Sequence, residues 1–180
     1  MISRNGGPSC RGARFAREGG FTLLETLVVL AIFGILAVVF YPGVKNSFEM
    51  RGFDNAGRDI LTTLQTAKWQ AVNTKSYHRV RFASDSAGWT YRIEIEKPYG
   101  TWTLKPGQTV KRVPPNFGVT LTLPSDLSVI FDPTGFVSNY DSTKNQISLS
   151  SSRLALLGQP NLRAIRFYVS GSTQFIKRTG

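Results

Sequence analysis

The chain has one cysteine, one histidine and half as many acidic as basic residues, 11 against 22. Each scarcity narrows what it can be. With Cys10 alone, neither a disulfide framework nor a cysteine-based metal site can be built. His78 has no second imidazole to share a metal with, so a satisfied core histidine is the expected role. No G-x-S-x-G elbow, Walker loop or dinucleotide glycine pattern occurs. The expectation is a non-enzymatic protein that needs no metal or cofactor.

Acidic residues are scarce, and the basic ones are unevenly placed. Residues 1–20 carry Arg4, Arg11, Arg14 and Arg17 against Glu18 alone, so +8 of the net +11 belongs to the remainder. That surplus favours anionic partners, lipid head groups or nucleic acid, without choosing between them. The 180 residues suffice for one domain with a core of its own.

No charge at all occurs between Thr26 and Val44, where LVVLAIFGILAVVFY forms an apolar block. From Phe21 to Tyr41 the stretch reaches the roughly 20 residues a bilayer-crossing helix needs. It is apolar all round, so lipid or packed helices must surround it. The arginines ahead of it place residues 1–20 in the cytoplasm and the bulk of the chain outside. An ordinary secretory signal is shorter and ends in a small-x-small cleavage pattern, for which Pro42-Gly43 is a poor substitute. An uncleaved signal anchor is the other simple alternative. Glu25 fits neither. One turn into the block, it costs roughly 2.5–3.5 kcal/mol in hydrocarbon and calls for a cationic partner.

Gly19 to Pro42, GGFTLLETLVVLAIFGILAVVFYP, resembles the class III signal of type IV pilins and type II secretion pseudopilins. The resemblance implies cleavage by a prepilin peptidase between Gly20 and Phe21, N-methylation of Phe21, and a role for Glu25 in assembly. Cleavage would create an ammonium at Phe21. Glu25 of one subunit could then pair with the Phe21 amine of a neighbour, each offsetting the other's desolvation and fixing the register.

Beyond Tyr41, Pro42 and Gly43 should bend or loosen the helix. Phe53, Ala56, Ile60, Leu64, Ala67 and Ala71 then recur at spacings of three and four, the stripe of an amphipathic helix ending near Asn73. Arg58, Asp59, Thr62, Gln65 and Lys68 fall on its outer face. Gly52 and Gly57 should weaken it by about 1 kcal/mol each.

From Tyr77 the period becomes two: His78, Val80 and Phe82 alternate with Arg79 and Arg81. Trp89, Tyr91, Ile93 and Ile95 alternate with Thr90, Arg92, Glu94 and Glu96, and residues 117–123 repeat the pattern. Further strands are expected at 128–131, 146–149, 163–169 and 173–177, with turns at 98–100, 106–107 and 114–115. The expected fold class is α+β: a long N-terminal helix, half transmembrane and half amphipathic, packed against antiparallel sheet. The expected layout is leader 1–20, transmembrane segment 21–42, outer helix 43–73 and a β-rich periplasmic domain 74–180.

Two further stretches narrow the resemblance. Val129-Ile130-Phe131 with Gly135, and residues 163–169 with Gly171 and a closing strand to Lys177-Arg178, are similar to elements of GspH/FimT-type minor pseudopilins and minor pilins. That family implies an inner-membrane protein, later part of a filament. Its partners would be the prepilin peptidase, an inner-membrane assembly platform, fellow pilins or pseudopilins, and membrane lipid before assembly. Lys45, Arg51 and Arg58 would suit lipid head groups. DNA, bound through Arg163, Arg166, Lys177 and Arg178, is the alternative partner, although Ser172-Thr173-Gln174 stand where that pattern would want arginines.

Overall fold

The computed structural model describes residues 21–179, and the chain divides into two compact units at Val44/Lys45. Helix α1, Leu23–Thr74, is assigned without a break through position 42 and belongs to both units. It stops where Lys75 turns to φ 52°, and the Ser76 N–H donates to the Ala71 carbonyl at 3.3 Å, a Schellman-type closure.

Among the described residues of the second unit the remaining elements are nine strands, one short α-helix and one 3₁₀ turn: β1 His78–Asp85, β2 Gly88–Lys97, the 3₁₀ turn Pro98–Gly100, β3 Thr101–Leu104, β4 Lys111–Arg112, β5 Gly118–Thr122, β6 Ser128–Phe131, β7 Gln146–Ser150, α2 Ser152–Leu156, β8 Leu162–Phe167 and β9 Thr173–Arg178. They form two antiparallel sheets rather than one. The first runs β3-β2-β1-β6, with β4 also pairing β2; the second runs β5-β7-β8-β9. The fold is α+β, a long helix with antiparallel sheets.

The outer half of α1 and the inner faces of both sheets share one apolar cluster. Phe53, Ile60, Leu64, Ala67 and Ala71 are fully buried on the helix, as are Val80, Val129 and Phe131 in the first sheet and Ile147, Leu149 and Ile165 in the second. Ala56 lies only part-way in. Gly57 has a packing role that helix propensity does not reveal. A Cβ there would stand 2.8 Å from the Phe175 ring, so the bare position lets β9 approach the helix.

Three elements escaped the sequence pattern: β3, β4 and α2. Helix α2 begins at Ser151, whose Oγ accepts from the Leu154 N–H at 3.4 Å, and closes near Gly158 at φ 63°. The segment 98–100 is a single 3₁₀ turn. The β6 turn and the β8–β9 hairpin meet in space. A Cβ on Gly171 would lie 2.2 Å from the Gly135 carbonyl oxygen, and Lys68 of α1 reaches over to the Ser170 carbonyl at 2.9 Å.

Candidate processing and assembly segment

Thr22 opens α1. Its Oγ1 accepts from the Glu25 N–H at 3.2 Å and its carbonyl from the Thr26 N–H at 3.1 Å, so Thr-Leu-Leu-Glu caps the helix. Glu25 sits in the first turn, where the positive end of the helix dipole favours a carboxylate. It makes no ion pair among the described residues. Phe21, 80% exposed, immediately precedes the cap. Gly20 lies outside the described residues.

Every residue from 21 to 41 is exposed. Covering one large apolar side chain is worth about 1.5–3 kcal/mol, and fifteen of them stand exposed in this one run, a strong drive to leave water. The segment is long and apolar enough to cross a membrane. Glu25, near the capped end, is the one charged group on that exposed surface between residues 21 and 41.

Residues 15–41 match the prokaryotic N-terminal methylation motif. Among solved structures the chain is similar to the minor pseudopilin EpsH from the type 2 secretion system of Vibrio cholerae. That likeness has a TM-score of 0.54 at 9% sequence identity, covering 69% of this chain and 96% of that one. The fold is pilin-like. The motif concerns the N-terminal segment, and the likeness concerns the fold alone. No curated protein matches the sequence.

Within the pilin-like domain the four basic residues named as candidate DNA contacts do not form one open surface. Arg163 is 1% exposed; it shares a strand face with Ile165 and Phe167, which turns it inward. Its Nε donates to Asp54 Oδ1 at 2.6 Å, its Nη1 to the Pro160 and Leu162 carbonyls, and it lies 4.8 Å from the Phe53 ring centroid. Lys177 donates to the other oxygen of Asp54. Arg166, on the opposite face, is half-buried and donates to Gln146 Oε1 at 3.0 Å, its Nε buried without a partner. Arg178 is exposed.

The acidic residues matter more to this domain than their number suggests. Glu49 meets Arg153 at 2.8 Å, Asp54 meets Arg163 and Lys177, and Asp59 accepts from Lys111 Nζ at 2.7 Å and Tyr91 OH at 2.9 Å. Five-residue spacing turns each about 140° from the last around α1. Asp54 therefore faces the second sheet and Asp59 the first. Burial opposes charge on both, yet the hydrogen bonds from Lys177 and Arg163, and from Lys111 and Tyr91, hold both below the usual carboxylate range. Burial and Asp59 push the Tyr91 hydroxyl upward. Glu94, expected on a solvated strand face, is 3% exposed and bridges Arg79 and Arg92 at 2.6 Å each. Burial disfavours its charge, but the two arginines win and lower its pKa. An acid one residue off an apolar stripe, as Asp54 and Asp59 are, was the available signal; their partners lie too far along the chain to be seen.

His78 is fully buried at the start of β1, with Nδ1 3.0 Å from the Ser76 carbonyl and Nε2 unpartnered. Burial lowers its pKa, so it is held neutral. Among the described residues no three His, Cys, Asp or Glu side chains gather into a metal site.

Proposed function

We propose that the chain is a non-enzymatic subunit, a minor pseudopilin or minor pilin, made as a precursor and built into a type II secretion pseudopilus or a type IV pilus. The observation that carries this is the methylation motif lying on an uncovered apolar helix that leads into a pilin-like fold. The precursor sits in the inner membrane with residues 1–20 cytoplasmic and residues 74–180 periplasmic. Prepilin peptidase cuts between Gly20 and Phe21, and Phe21 is N-methylated.

Glu25 then stands one turn from the new ammonium. In the filament core it pairs with Phe21 of a neighbouring subunit, and apolar flanks replace lipid. A subunit docked out of register leaves that carboxylate unpaired in an apolar setting, which is costly. Pro42 lowers the stiffness of the helix as it passes from membrane to filament.

Mass spectrometry of the N-terminus, from membranes of cells with and without the prepilin peptidase, tests this. A peptidase-dependent start at methylated Phe21 is the expected result. An intact Met1 in both strains, or cleavage beyond Tyr41, would replace the proposal with a signal anchor or an ordinary exported protein.

A further inference from the structure

The outer face of the first sheet carries a charge ladder that stops one rung short. His-Arg-Val-Arg in β1 puts Arg79 and Arg81 on one face, and Arg-Ile-Glu in β2 puts Arg92 and Glu94 on the same face. The register sets Arg79 opposite Glu94 and Arg81 opposite Arg92. At the first rung opposite charges meet. Glu94 takes Arg79 Nε on one oxygen and Arg92 Nε on the other, and Arg79 lies 4.3 Å from the Trp102 ring centroid.

At the next rung two arginines stand opposite each other on one face. Like charges directly opposite in an antiparallel pair destabilise it. Arg81 is exposed and makes no ion pair among the described residues, and Arg92 is held only through its Nε. On the far side of β1, opposite Arg81, Ser128 is tied to Asp126. Glu96 continues the face at its other end, opposite Trp102. The uncompensated charge is thus confined to Arg81 and Arg92.

We propose that this rung docks an acidic segment of a partner protein, with one carboxylate seated between Arg81 and Arg92 as Glu94 is seated between Arg79 and Arg92. A second copy of this chain is poorly suited to supply it. Apart from Glu25 and Glu96, the described acids are held in ion pairs or in turn hydrogen bonds of their own domain. Duplex DNA is poorly matched as well, because a face with two available cations falls short of the 6–10 phosphate contacts of a typical duplex interface. The residues that form this rung all lie in the second unit, residues 45–180.

A fluorescein-labelled hexaglutamate peptide, titrated against the full-length protein in non-ionic detergent, is the test. Arg81→Glu should weaken binding roughly tenfold, the loss of one charge-assisted contact. The same variant should melt no lower than the wild type, because its carboxylate faces Arg92. Lys97→Glu, an equal charge change on the same sheet, should leave binding unaltered. Equal losses in both variants, no loss in Arg81→Glu, or a lower melting temperature for it would overturn the proposal. So would a short DNA duplex that displaces the peptide in an Arg81-dependent way, which would make phosphate the ligand.

Discussion

Asp54 on the helix and Arg163 on β8 lie 2.6 Å apart although 109 residues separate them in sequence. The carboxylate is the counter-charge of a fully buried guanidinium, and Lys177 completes the group. Asp54→Ala should therefore destabilise the domain by about 3 kcal/mol, because it leaves a buried charge unpaired. Replacing Arg163 and Asp54 together with Met and Ala should cost less than the two single changes combined. Urea unfolding of the four proteins measures the coupling.

The two glycines of the outer helix should respond in opposite directions. Nothing lies within 4 Å of a Cβ built on Gly52, so Gly52→Ala should stabilise by up to about 1 kcal/mol. At Gly57 the new methyl group would meet the Phe175 ring at 2.8 Å. Overpacking of about 1–3 kcal/mol then outweighs the helix gain, and Gly57→Ala should lower the melting temperature.

Acid should lower the stability of the domain in two stages. His78 has a pKa below its ordinary 6.5, because burial favours the neutral ring. The unfolded chain takes up that proton first, so stability is full above pH 6.5 and falls as the pH drops towards the folded value. Asp54, Asp59 and Glu94 are also lowered, from 3.8 for the aspartates and 4.5 for the glutamate, and Asp85 is lowered to about 2 by Arg112. Their contribution is present above those ordinary values and lost below them. Thermal melts from pH 8 to pH 3 should show both stages, and His78→Phe should flatten only the first.

Glu25→Ala should leave peptidase cleavage intact and reduce recovery in sheared filaments at least tenfold, the equivalent of about 1.4 kcal/mol per subunit contact. Immunoblots of membrane and filament fractions separate the two steps. Normal incorporation of the variant would remove the charge pair with Phe21 from the assembly mechanism.

Much of the architecture is legible from two periods in the sequence. The spacing of Ile60, Leu64, Ala67 and Ala71 gave the buried stripe of α1, and alternation gave the apolar faces of β1 and β2. Alternation says which residues share a face but not how strands divide, so the separation into two sheets stayed hidden. Short elements were also missed: β4 is two residues long, and its position depends on pairing with β2 rather than on its own composition. Inward-facing charges were the hardest to see. Strand periodicity already groups Arg163 with Ile165 and Phe167, but only the tertiary fold brings Asp54 to it. In the N-terminal segment, by contrast, the information is local, carried by Thr22, Glu25 and the apolar run that follows.

The flanking aspartates of α1 have a mechanical consequence. Asp54 is fastened to β8 and β9, and Asp59 to β2 and β4, about 140° around the helix from one another. An axial pull on the outer helix would strain both fastenings in shear at once. Such a joint resists withdrawal of the helix better than it resists peeling of a single sheet, and it couples a tug on α1 to the whole domain.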